Sequence, residues 1–204
     1  MDTSGTDTTT SPDLAPRRGG RGARERILWA ANKLFYEEGI NATGMERLTE
    51  VAHVSRRTFY QHFPSKNALV DEYLRQLEEE TPPGEHVLNR SDLTPRERLL
   101  GLFAAPPAGV PLRGCPFHNA AVETAGTLPA VRAAAIHHKE RFTQRLTDTA
   151  REAGAEDPET LARQLAVLFE GARALTTSVD NTSPLADGRA LAATLIDAAI
   201  ARAA

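Results

Sequence analysis

Apolar residues recur along most of the chain at the three-to-four spacing of a helix face. Ile27, Ala30, Ala31, Leu34 and Phe35 stand at i, i+3, i+4, i+7 and i+8, a stripe that stops at Gly39. Thr43 and Glu46 have capping-box spacing ahead of a second helix with Met45, Leu48, Val51 and Ala52 inward. Ser55 is placed to cap a short third helix. Ser65 is placed to cap a fourth, with Ala68, Leu69, Tyr73, Leu74 and Leu77 on its buried side. The stretch TPPGEHVLNRSDL (81–93) breaks the pattern and reads as a hinge. Thr94, Pro95 and Glu97 then combine a cap, a proline at the first helical position and a capping-box acid. That helix ends before the loop APPAGVPLRG, and a short helix follows Cys115.

LPAVRAAAIHHKERFTQRLTDTAREAG predicts one long helix, with proline at its start and Gly154 past its end. DPETLARQLAVLFEGARALTTS and SPLADGRALAATLIDAAIARAA each open on a cap-and-proline signal. Leu161, Leu165, Leu168, Ala172 and Leu175 stripe the first; Leu191, Leu195, Ala198 and Ala199 stripe the second, widened by Ile196 and Ile200. No stretch alternates with period two long enough to argue for a strand. The expected fold class is all-α, with about nine helices.

Composition adds limits. With 204 residues, 41% of them hydrophobic, the chain can bury a real core. No apolar run approaches the roughly 20 residues of a membrane span, so no membrane partner is expected. The N-terminus lacks the apolar stretch of a secretory signal. A single cysteine, Cys115, excludes an intrachain disulfide and fits a reducing, cytoplasmic setting. No cofactor or metal site is indicated: the adjacent His137 and His138 point to different helix faces, and His118 stands apart from them in sequence.

The net charge of -3 hides an asymmetry. Residues 14–70 hold ten Lys/Arg against five Asp/Glu, while 71–204 hold fourteen against nineteen. A basic front on an acidic back points to a polyanion at one end only. Residues 1–22 are rich in Thr, Ser, Gly and Pro without periodicity and are expected to be a disordered arm. Its Arg17, Arg18 and Arg21 are either a solvated tail or a minor-groove contact. The division expected is an arm (1–22), a head (23–70) and a body (71–204).

The densest chemistry sits in VSRRTFYQHFPSK (54–66). Only Ala52–Val54 separate the second and third helices, the length of a helix-turn-helix corner. Phe59 and Phe63, at i and i+4, share the face that packs inward. Arg57 and Gln61, also i and i+4, project oppositely, flanked by Arg56 and Tyr60. Arginine suits guanine edges, glutamine adenine edges, and Tyr60 and Thr58 phosphates. A solvated amphipathic helix is the alternative for any one of these residues.

The segment GINATGMERLTEVAHVSRRTFYQHFPSKNALV (39–70) resembles the head of the TetR family of regulators. Ala42-Thr43, Ala52, Val54-Ser55, Phe59-Tyr60, His62-Phe63, Ser65-Lys66 and Leu69 stand in the family's places. The resemblance implies that Thr43, Tyr60, His62 and Lys66 hold phosphates, with Arg56, Arg57 and Gln61 near bases; Ser55 and Thr58 fall in the same contact set. His53 replaces the usual corner glycine and Arg57 the small residue often found there, so family base preferences do not carry over.

A homodimer on a double-stranded palindromic operator is implied, because one short helix reads too few base pairs. The expected dimer face is Leu161, Leu165, Leu168, Ala172, Leu175, Leu191, Leu195 and Ala199, unless these belong to the monomer core. The body is expected to take an unidentified small effector against Phe103, Phe117, Val122, Ile136, Phe142 and Phe169, unless these close-pack.

RGCPFHNAAVE (113–123) puts Cys115 at a helix start, where a thiol can turn reactive toward electrophiles or oxidants. A buried structural cysteine is the alternative. Three functions follow. The first is a repressor that releases its operator on binding an effector, including a thiol-responsive form. The second is an effector-independent architectural DNA-binding protein. The third is an enzyme built on Cys115, His118 and Glu123, disfavoured by the absence of any oxyanion motif.

Overall fold

The computed structural model describes residues 22–82, 84–125 and 127–201; the arm at 1–21, with Arg17, Arg18 and Arg21, lies outside the described residues. Among these the fold is all-α. The helices are α1 (Ala23–Glu37), α2 (Met45–Val51), α3 (Arg56–His62), α4 (Lys66–Glu79), α5 (Pro95–Gly101), α6 (Pro116–Glu123), α7 (Pro129–Glu152), α8 (Pro158–Val179) and α9 (Ser183–Ala201). One 3-10 turn, His86–Asn89, lies between α4 and α5.

Most caps fall where the sequence puts them. Ser55 accepts from Thr58 N at 3.0 Å and Ser65 from Ala68 N at 3.1 Å. Thr94 and Glu97 exchange both capping-box bonds, at 3.2 and 2.8 Å. Asp157 caps α8 through Thr160 N. Three expectations need correction. Thr43 does not cap α2: the cap position is Gly44, without a side-chain bond. The Thr43 hydroxyl instead donates inward to Gly39 O at 2.6 Å. Ser183 is the first residue of α9, its N–H held by Asn181 Oδ1 at 2.9 Å. The stretch 81–93 is no free hinge, since Glu85 and Leu88 are buried in it.

Two apolar cores form. The first gathers Ile27, Leu34, Phe35, Leu48, Phe59, Phe63, Leu69 and Tyr73, and continues through Cys115, Phe117 and Ala120 to Val131 and Ala135 at the start of α7. Helix α6 therefore docks on the head. The second core joins α5, α7, α8 and α9 through Leu99, Phe103, Phe142, Leu146, Leu165, Phe169, Leu185 and Ile196. Gly188 sets the spacing of α9: a Cβ there would lie 3.0 Å from the Phe103 ring and 3.2 Å from Ala172.

Burial redraws the expected dimer face. Leu161, Leu165 and Ala172 lie inside the chain's own core, and Leu168, Leu195 and Ala199 are half-buried. Of the expected face, Leu175 (56%) and Leu191 are exposed; Val167 (76%) and Val179 join them on the outer faces of α8 and α9, with Gly171 and Ala174 beside them. Helical phase accounts for 167 and 174, which lie opposite 161, 165 and 172 on a 3.6-residue turn; Leu175 shares the stripe of 161, 165 and 172 yet is exposed near the end of α8.

The expected effector residues are also separated. Phe103 and Phe142 each meet Phe169 with ring centroids 5.6 Å apart, which is core packing, and Phe117 stacks on His138. Val122 and Ile136 are at least half exposed on the surface. Phe142 borders a cleft between α4 and α7, and Val122 a separate one beside Tyr36 and Arg113.

Candidate nucleic-acid interface

Helix α3 is seven residues long, too short to persist without tertiary support. Phe59 supplies that support. It is fully buried and contacts Phe63 at 6.0 Å between centroids. Burying such a ring contributes about 1.5–3 kcal/mol. Helix α1 fixes the corner from behind, where Arg26 Nε donates to Ala52 O at 3.1 Å. His53 occupies the left-handed region at φ +51°, the conformation that lets the chain turn from α2 into α3.

With the inner face anchored, Arg56, Arg57, Tyr60, Gln61 and His62 all stand exposed. Ser55 is exposed and Thr58 half-buried, their hydroxyls 2.8 Å apart at the start of the helix. Neither Arg56 nor Arg57 forms an ion pair among the described residues, whereas most charged neighbours do. Arg47 bonds Glu38 and Glu50, both at 3.3 Å. Arg24 and Arg75 both engage Glu72, and Arg75 first, then Arg24, hold its carboxyl down at about 2. The two guanidiniums on α3 keep their charge free for an anion.

Thr43 departs from the expected set, and Lys66 differs in exposure from the α3 residues. Thr43 is completely buried with its hydroxyl committed to Gly39 and Leu34 carbonyls, so its side chain cannot reach a phosphate. Lys66 is half-buried at the first position of α4; burial lowers its pKa, with Glu123 opposing. Its ammonium thus stands near a carboxylate of α6.

Contacts that sequence reading missed tie the head to α6. Asn41 N donates to Glu123 Oε2 at 2.9 Å, and Asn41 Nδ2 to Glu123 O at 2.7 Å. At the other end of α6, Tyr36 Oη donates to Gly114 O at 3.1 Å, as does Arg173 Nη2 at 2.5 Å. Gly39, at φ +98°, admits this approach, because a Cβ there would meet Glu123 Oε2 at 3.0 Å. No periodicity signals a bond between residues 82 apart. The same contacts separate the expected Cys115, His118 and Glu123: Glu123 is held by Asn41, and His118 is exposed.

A capped corner, an apolar clamp and an outward row of free donors define a helix-turn-helix DNA-binding protein. The comparisons agree. Residues 27–73 match the model of bacterial regulatory proteins of the tetR family, and 111–190 match the C-terminal domain of LmrA/YxaF-like transcriptional regulators. The HTH-type transcriptional repressor KstR2 of Rhodococcus jostii is 36% identical over 66 residues, 32% of each chain. The chain spans about a third to just over half of the length of the curated relatives it matches. Among solved structures, a TetR transcriptional regulator of Streptomyces avermitilis is 32% identical, with TM-score 0.70, covering 88% of this chain and 98% of that one. The TetR-family regulator SCO4454 of Streptomyces coelicolor is 26% identical, with TM-score 0.76 over 87% and 96%. This chain belongs to the TetR family of transcriptional regulators.

Proposed function

We propose that the protein is a homodimeric, one-component repressor that leaves a palindromic operator when a small effector binds its body. The observation that carries this is the outer face of α3, where Arg56, Arg57, Tyr60 and Gln61 are exposed and neither guanidinium has a carboxylate partner among the described residues. Arg57 and Gln61 read base edges; Tyr60, His62, Ser55 and Thr58 position the phosphates. The head spans 23–70 and the sensing and dimerising body 71–204, with α4 crossing between them. The dimer forms through Val167, Gly171, Ala174, Leu175 and Leu191, with Leu168, Leu195 and Ala199 at its margin. An exposed apolar face with small residues at its centre allows close helix approach across a twofold axis. No described helix is long and apolar enough to cross a membrane, and the working location is the cytoplasm, where DNA is.

Footprinting on fragments of the source genome tests the reading. The expected result is a twofold-symmetric protected site with half-sites about 34 Å, one helical turn, apart. Uniform coating of all fragments would support an architectural protein instead.

A further inference from the structure

A cleft of about 320 Å³ lies along the seam between head and body. Tyr36 and Gly39 line it from the head, Arg113, His118 and Val122 from α6 and the residues leading into it, and Thr177 from α8. That volume falls within the roughly 300–1,000 Å³ of small-molecule sites, whereas the cleft between α4 and α7 has room for about one water. Both ends of the seam are fixed. At one, Gly114 O accepts from Tyr36 Oη at 3.1 Å and from Arg173 Nη2 at 2.5 Å. At the other, Asn41 N and Nδ2 donate to Glu123 Oε2 and O at 2.9 and 2.7 Å. The space is built into the fold.

Its charged groups divide into committed and free. Glu38 pairs with Arg47 at 3.3 Å, and Glu123 accepts from Asn41 N with Lys66 close by. Arg113 uses only Nε, on Tyr36 O at 3.4 Å, so the terminal nitrogens of its guanidinium make no hydrogen bond or ion pair among the described residues. Asn119 Nδ2 donates to Arg113 O at 2.6 Å and fixes the backbone that carries it. His118, in the first turn of α6, is exposed and has no polar partner among the described residues. The free donors therefore gather toward the start of α6, while Glu123 closes its far end about 8 Å along the axis. Val122 stands one turn beyond His118 on the same face and is 62% exposed. An exposed valine on a flat surface is ordinary; in a concave wall beside the Tyr36 ring it is apolar area for a ligand to cover.

We infer that this seam binds a small monocarboxylate with a compact apolar body, its carboxylate on Arg113 and His118 and its apolar part against Val122 and Tyr36. The inference rests on the effector-release reading and names the effector's site and class. The terminal nitrogens of an arginine present parallel donors matched to a carboxylate, and an imidazole adds one more. Binding is non-covalent. The walls belong to three units: Tyr36 and Gly39 to the head, Val122 to α6, and Thr177 to α8, whose outer face is the proposed dimer surface. A ligand wedged among them changes the angle between the head and α8 without touching α3, and with it the spacing of the two heads on DNA.

Calorimetry on the full-length chain with 3-phenylpropionate, 3-phenylpropionamide and 3-phenylpropylamine tests the site, because the three share one apolar body and differ in charge. The acid is expected to bind with a Kd below about 1 mM, and the amide and amine at least about tenfold more weakly. Arg113→Gln should weaken the acid about tenfold or more, and His118→Gln about threefold. Val122→Trp, which fills the cleft, should abolish its binding. All three positions are exposed, so the variants keep the fold. Equal binding of acid and amide, tighter binding of the amine, an unchanged Kd in Arg113→Gln, or no measurable binding of the acid would overturn the site. Anisotropy on the footprinted DNA then tests the effector role: the acid should weaken wild-type binding about tenfold and leave Arg113→Gln unaffected. Binding of the acid with no loss of DNA affinity would overturn that role and leave the repressor reading standing. A chain that binds no DNA even without the acid would sink the repressor reading, and the effector role with it, while the calorimetry still decides the site.

Discussion

In the head, Phe59 and Phe63 lie inside while Arg56, Arg57, Tyr60 and Gln61 stand in water, so polarity and exposure agree. The body inverts this twice. It exposes Val167, Leu175, Val179 and Leu191, and it buries Glu85, His138 and Cys115. Agreement marks a surface finished as it stands, ready for a hydrated polyanion. Inversion marks either a surface suited to a partner's apolar face, as on α8 and α9, or a charge held inside the chain, as Glu85 is by His138 and Arg145.

Substitutions can break or sharpen that contrast. Phe59→Ala removes the clamp behind α3 and should destabilise the head by about 3–5 kcal/mol in denaturant melts, with DNA binding lost. Leu175→Glu with Leu191→Glu places charge in the proposed dimer face. Each change should weaken association by about 2 kcal/mol or more. Sedimentation should then report single chains whose fold is otherwise intact; an unchanged dimer would show that the exposed apolar face is not the interface.

Glu85→Ala strips the buried acid from His138 and Arg145, and should cost about 2 kcal/mol; Arg145 is a quarter exposed, which moderates the loss. This loss depends on pH. Because the folded pKa of His138 is raised, its stabilisation is complete below the unfolded value of about 6.5 and fades as pH rises through the folded one. The difference between wild type and Glu85→Ala should therefore narrow on going alkaline. His53→Gly is the smallest effect: it relieves the left-handed strain at φ +51° and should stabilise the head by up to about 1 kcal/mol, less the extra chain entropy of glycine.

The head was legible because its signals are local. The caps at Ser55 and Ser65, the short corner and the i, i+4 pairs of α3 all lie within a few residues of one another. The body resisted reading because its decisive contacts are distant in sequence. Glu85 meets Arg145, Asn41 meets Glu123, and Cys115 meets Lys139, none with a periodic signature. The stripe on α8 illustrates the limit: periodicity puts Leu175 on one face with Leu161 and Leu165, and only packing shows that the latter two are buried while Leu175 is exposed. Thr43 failed for a related reason, since a hydroxyl at a helix start can turn to the chain behind it as readily as to a phosphate.

Selection of binding sites from random duplex DNA, by wild type and by Arg57→Ala in parallel, tests the central claim about α3. Wild type should enrich one palindrome, and the variant should lose preference at one position in each half-site, a change of about 1–3 kcal/mol per base pair. An identical enriched palindrome from both proteins would contradict base reading by the outer face of α3.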